Sequence, residues 1–315
     1  MARFVVRRLL QMVVVLFAIS ALTFLIFNVL PAGDPARRMA GKTPTEAQLD
    51  LIRHQWGFDK PVYVQYEKTM EKVVTGDLVS YITQLNVVDE IWKRVPTTLS
   101  LAVGAAIMWM FFAVILGLYT AVRAGQLSDR LLTILALIGI SMPVFWVGAL
   151  MNYYLGFKAG IFPNGGYVKL TDDPVDWAYH LIMPWTALSL LFIGFYSRVL
   201  RSNVLDALNE DYVRTARAKG LSERQVLIKH VLRNSMIPLV TLWGLDFGAV
   251  LGGGAILTES VFDLQGVGQY AAESIGRLDV PPVLAITMFG AFFIVLLNTI
   301  VDIVYAALDP RIRLS

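Results

Sequence analysis

Residues 9–30 read LLQMVVVLFAISALTFLIFNVL, an apolar run without a charged side chain. As a helix rising about 1.5 Å per residue, it is long enough to cross the roughly 30 Å hydrocarbon core of a bilayer. Five further stretches have the same character: Thr97–Val122, Leu131–Phe157, Leu181–Leu200 (Arg198 near its end), Met236–Leu257 (holding Asp246) and Val283–Leu308 (holding Asp302). The composition agrees: of 315 residues, 56% are hydrophobic and 16% charged, against roughly 45–50% and 25% in soluble proteins. This apolarity excludes disorder, and the absence of cysteine excludes disulfide-stapled scaffolds, thiolate metal sites and cysteine nucleophiles. The expected fold is an all-α membrane protein of six transmembrane helices. The first span exceeds a signal-peptide core of about 7–15 residues and lacks a small-residue cleavage site, so it is expected to stay as an anchor.

Lysine and arginine placement gives the orientation. Arg3, Arg7 and Arg8 precede span one, and Arg123 and Arg130 lie between spans two and three. Eight more fall between spans four and five (Arg198, Arg201, Arg214, Arg217, Lys219, Arg224, Lys229, Arg233), and Arg311 and Arg313 follow span six. The opposite short loops hold only Lys158, Lys169 and Arg277. Short loops rich in Lys and Arg stay on the cytoplasmic side, so both termini are expected there. Topology accounts for the net charge of +3 without any nucleic acid.

The chain divides into 1–30 (N-terminus and first helix), an external loop domain 31–96, a core 97–308 and a tail 309–315. The loop opens with the turn formers Pro31-Ala32-Gly33-Asp34-Pro35. It then shows a helical register over Thr45–Trp56, with Leu49, Ile52 and Trp56 on one face and Thr43 or Thr45 as the cap. It folds as a small outer domain or lies against the spans. Gly41-Lys42-Thr43 lacks the first glycine of a phosphate-cradling loop, which Ala36 replaces, and it follows a membrane span rather than a strand. No ATP site is expected in this chain. His54, His180 and His230 are dispersed over both sides of the membrane, so neither a metal site nor a catalytic set is expected.

Asp246 lies in mid-span five, where a carboxylate is costly unless it faces the bundle interior or a hydrated route. Gly244, Gly248 and Gly252 recur at four-residue spacing, a ridge that lets a neighbouring helix approach. At about 100° per residue Asp246 points away from that ridge. Two readings stand side by side: a group lining a translocation route, or a structural acid paired with a Ser, Asn or Trp N–H. Asp302 reads as an interfacial acid. Glu259 follows Gly252-Gly253-Gly254 on the external side, at a gate or a plain helix end.

Between spans four and five, over about 206–234, the chain includes Asp211-Tyr212-Val213-Arg214-Thr215-Ala216-Arg217-Ala218-Lys219-Gly220-Leu221-Ser222-Glu223-Arg224-Gln225. Helix formers run to Lys219, Gly220 stops the helix, and Ser222 with Gln225 forms a capping box for a second. That second helix carries Val226, Leu227, Val231 and Leu232 at helical spacing and runs into span five. A loop without a partner has no need of two amphipathic helices, so this one is read as a docking element for another protein.

This segment resembles the cytoplasmic coupling loop of ABC-importer permeases, whose general pattern is Glu-Ala-Ala, three residues, Gly, nine residues, Ile-x-Leu-Pro. Aligned on Gly220, only Ala216, Gly220 and Leu232 match; Arg214, Thr215, His230 and Arg233 depart. The run Asp211–Gly220 through Arg233-Asn234 and Pro238 is instead similar to the dipeptide/oligopeptide/nickel branch. So are Arg7-Arg8-Leu9-Leu10, Gly33-Asp34-Pro35, Lys60–Tyr66, Gly76-Asp77-Leu78, Arg94–Leu99, Ser141–Trp146, Thr258–Phe262, Gly266-Val267-Gly268 and Leu308–Arg313. The resemblance implies a type I ABC importer permease fold in a bacterial inner membrane. It also implies a second, homologous permease in a heterodimer, two cytoplasmic ATP-binding subunits that use ATP and Mg, and an external or periplasmic solute-binding protein. By the same resemblance Asp211, Tyr212, Arg214, Thr215, Ala216, Lys219 and Gly220 couple to the ATPases. Asp246 and Glu259 would line the route for di- or oligopeptides, nickel or another small solute. No catalytic residue, metal or cofactor is expected in the chain itself. An ion-coupled secondary transporter is the competing class, but it calls for paired half-repeats that the sequence does not display.

Overall fold

The computed structural model of the chain describes residues 2–29, 36–37, 40 and 44–308. Gly33-Asp34-Pro35, Gly41-Lys42-Thr43, the 309–313 motif and the Asp302 side chain lie outside what is described. Helix α1 covers Ala2–Phe24 and closes in a π-helical turn, Leu25–Val29. Then come α2 (Glu46–Trp56), α3 (Val62–Thr75), α4 (Val87–Val122), α5 (Leu127–Ser141), α6 (Val144–Lys158), α7 (Pro174–Leu208) and α8 (Asp211–Ala218). The chain continues through α9 (Glu223–Gly254), α10 (Ile256–Val261), α11 (Val267–Gly276) and α12 (Val280–Leu308). Among the described residues five helices are long and apolar enough to cross a membrane, or six if α5 and α6 together make one span.

The third expected span, Leu131–Phe157, falls across α5 and α6 and is bent. α5 and α6 meet at 98°. Pro143 has no N–H to continue the helix and drives the preceding residue out of the helical region; Met142 is accordingly extended, at φ −85° and ψ 130°. Spans four and five are also longer than their apolar cores. α7 begins at Pro174 because the Asp173 carboxylate caps it, accepting from the N–H groups of Val175 and Asp176 at 2.8 and 3.0 Å. α9 ends where Gly253 adopts φ 135°, a conformation that suits glycine.

The chain forms two compact units. The first comprises Met1–Thr98, Leu251–Ile256 and Gln265–Ser315. In it α1 packs along α12, and α3 lies against α1: Tyr66 packs edge-on against Phe24 and its hydroxyl is 2.7 Å from Ser20 Oγ. A core of Leu78, Val87, Ile91, Val95, Val267, Tyr270 and Ala285 binds the loop's end to α11 and α12. Buried Asp279 accepts from the Tyr81 N–H at 3.0 Å and from the Ser80 hydroxyl. Thr45 caps α2 in a box with Gln48. Gly252 meets Gly290 so closely that a Cβ at Gly290 would lie 2.3 Å from the Gly252 carbonyl oxygen.

The second unit comprises Leu99–Val250 and Leu257–Leu264. α5 and α7 run antiparallel: Asp129 faces Arg201, a Cβ at Gly194 would meet the Ala136 carbonyl at 2.5 Å, and Gly139 lies beside Leu190. Small residues at these crossings bring the backbones together, as in membrane interiors generally.

Candidate functional site: the coupling turn and the intramembrane acid

The segment over 206–234 folds as two helices joined at Gly220. α8 ends in a Schellman motif: the Gly220 N–H donates to the Arg217 carbonyl (2.9 Å) and the Leu221 N–H to the Ala216 carbonyl (3.4 Å). Gly220 has φ +78°, the left-handed conformation this motif requires. Two residues on, Ser222 and Gln225 form the reciprocal capping box that starts α9. Val213 and Ala216 are buried, as are Val226 and Val231 on the facing π-helical stretch Val226–Leu232. Asp211, Tyr212, Arg214, Thr215, Lys219 and Gly220 are exposed. The apolar stripe therefore anchors the turn to its own protein, and the polar face stays open.

One contact at this turn escapes sequence reading. Arg217 grips Glu223 with two bonds, Nε to Oε1 at 2.9 Å and Nη2 to Oε2 at 3.2 Å, bridging the two helices across Gly220. Both side chains are exposed, so the pair adds only about 0–1 kcal/mol; its planar geometry orients α8 against α9. Within α8, Arg214 reaches Asp211 at 3.3 Å and the Thr215 hydroxyl donates to the Asp211 carbonyl.

Asp246 lies on α9 and is half-buried. Its Oδ2 accepts from the Tyr196 hydroxyl of α7 at 2.6 Å. Tyr196 is wholly enclosed, beside Phe195 and beside Trp109, which itself stacks on Phe192 at 4.4 Å. The partner is thus a phenol rather than the Ser, Asn or Trp N–H considered from sequence. The acid is both held by a structural bond and open on one side. Gly244 and Gly248 are buried, the packed side of the same helix. Glu259 is fully buried on α10, away from open surface.

The histidines are scattered: His54 pairs with Asp59 at 3.1 Å, and His180 Nδ1 is 2.9 Å from the Asp176 carbonyl. Among the described residues no cluster of three His, Cys, Asp or Glu side chains could hold a metal.

Several helices long and apolar enough to span a membrane, with an open, glycine-turned amphipathic pair between two of them, define a multi-pass membrane protein. Residues 113–314 match the family described as binding-protein-dependent transport system inner membrane component, and residues 1–102 match its N-terminal companion. Over 314 residues the chain is 38% identical to the glutathione transport system permease protein GsiC of Escherichia coli O6:H1, covering 99% of each. It is 37% identical to GsiC of strain K12, again over 99% of each. A probable peptide ABC transporter permease protein, y4tP, of Sinorhizobium fredii is 34% identical over 99% of this chain and all of its own length. The chain belongs to the binding-protein-dependent transport system inner membrane component family, as its sequence motifs led one to expect. It is an inner-membrane transport permease of the ABC-importer class.

Proposed function

We propose that this chain forms half of the translocation route of an ATP-driven importer for small peptides, glutathione among them. Both termini and the 206–234 turn face the cytoplasm, and two separate ATP-binding subunits dock on the exposed face of α8. A second, homologous permease completes the route, and an external binding protein delivers the solute. This chain binds no nucleotide: ATP and Mg belong to the partners. The observation that carries the reading is the turn itself, anchored by Val213 and Ala216 beneath, open in Asp211, Tyr212, Arg214, Thr215 and Lys219 above, and continuous through α9 with the membrane. An ATPase that moves the turn moves a membrane helix directly, and a partner that binds two states unequally shifts the balance between them. The relatives named for glutathione and peptide carriage support the substrate class. So does Asp246, a carboxylate suited to a peptide's amino group. Glu259 closes the route on the outer side, and Gly244, Gly248 and Gly252 give the packed face of α9.

Affinity purification of the tagged chain from native membranes tests the assembly. ATP-binding subunits and a second permease are expected to co-purify in fixed proportion. A chain that purifies alone and moves solute down an ion gradient contradicts the proposal.

A further inference from the structure

We propose that Asp129 and Arg201 pin α5 to α7, so that movement of the α8 turn reaches the Glu259 segment through α5 and its bend. This rests on the coupling role given above to the 206–234 turn. The pair is a two-pronged fork: Arg201 Nε donates to Asp129 Oδ1 and Nη2 to Oδ2, each at 2.8 Å. The Gly125 N–H adds a bond to Oδ2 at 2.9 Å, and the Thr133 hydroxyl one to Oδ1 at 3.4 Å. The Asp129 side chain is 5% exposed and that of Arg201 29%. Buried ion pairs of this kind are weak contributors to stability, and apolar side chains of similar volume often serve as well. What the fork supplies is a fixed angle between two helices.

Its position gives that angle a use. Only Asn209 and Glu210 separate α7 from α8, so Arg201 lies about two turns before the end of the helix that leads into the 206–234 turn. From the fork, α5 runs back along α7 through the close contacts of Ala136 with Gly194 and of Gly139 with Leu190. Past the 98° bend at Pro143, α6 holds the segment that contains Glu259. A Cβ at Gly148 would meet Phe262 at 3.1 Å and Val261 at 3.3 Å, and Asn152 Nδ2 donates to the Val261 carbonyl at 3.2 Å. The Gly166 N–H donates to the Phe262 carbonyl at 3.0 Å. The links are helices joined by close packing and by hydrogen bonds, a contiguous set of contacts through which a displacement of one helix reaches the next. Asp129 and Arg201 are positioning residues in this scheme and touch no solute.

The chain has no cysteine, so Leu257→Cys, at a side chain 56% exposed, offers a single thiol near Glu259. In the full complex reconstituted in liposomes, ATP with vanadate is expected to change the labelling rate of that thiol. Adding Asp129→Asn is expected to cut both this change and solute uptake at least tenfold, with the ATPases still bound. Arg201→Lys, which keeps the charge but loses the fork, is expected to fall between, and it serves if Asp129→Asn does not assemble. Wild-type uptake and labelling change in either variant overturn the pin alone. A parent complex with no nucleotide-dependent change overturns the coupling reading, and the pin with it.

Discussion

At the residue scale, Asp246 is the sharpest feature of the membrane interior. Its position in a charge-free stretch made it visible in sequence, because an intramembrane carboxylate must be held or hydrated. Its partner was not visible: Tyr196 lies fifty residues earlier, and a tyrosine in an apolar span gives no sign of which helix its hydroxyl will reach. Asp129 and Arg201 were hidden for a related reason, since each reads as an ordinary charge at a span's edge until α5 and α7 are laid together. In the reconstituted complex, Asp246→Asn is expected to lower uptake of peptides with a free amino end about tenfold, equivalent to ~1.4 kcal/mol. Tyr196→Phe is expected to lower it less, since the carboxylate remains. Uptake unchanged for every peptide tried would leave Asp246 a purely structural acid.

At the element scale, the helix–turn–helix over 206–234 was the most legible part of the chain. Its boundaries follow from local chemistry: helix formers to Lys219, a residue free to take φ +78° at 220, and a Ser-x-x-Gln box at 222–225. None of these depends on distant contacts, so sequence suffices. The third span was placed from sequence but its bend was not, because hydropathy does not distinguish a straight helix from a bent pair, and Pro143 decides the matter through backbone geometry. Close glycine crossings are half-legible. The small residues are plain in sequence, but the partner of Gly252 turns out to be Gly290 on α12. Gly290→Leu is expected to destabilise the purified protein by roughly 1–3 kcal/mol, the usual penalty for overpacking, seen as a lowered Tm in detergent. Gly276→Ala, with open space around its Cβ position, is the control and is expected to leave Tm nearly unchanged. Equal Tm values for the two variants would mean that the Gly252–Gly290 approach bears no packing strain.

At the scale of the whole molecule, the proposed function makes a set of apolar helices a pump component through one short turn whose movement is supplied from outside. The apolar runs announce the membrane, and the basic side chains carry the proposed orientation. Those signals are shared by channels, secondary transporters and importers alike. In the proposed function the turn separates them, because an exposed face anchored from beneath and joined to a spanning helix suits a partner that moves it. Gly220→Pro is the direct challenge. Proline holds φ near −65° and has no N–H, so it can neither adopt +78° nor bond the Arg217 carbonyl. The decisive measurement is ATP hydrolysis by the reconstituted complex, with and without solute-loaded binding protein, alongside solute uptake. In the wild-type complex the loaded binding protein is expected to stimulate hydrolysis and drive accumulation. In Gly220→Pro, inserted in the membrane to the same level, both are expected to drop at least tenfold. Equal stimulation in the two complexes, or accumulation by the wild type without ATP, would contradict the coupling role of the turn.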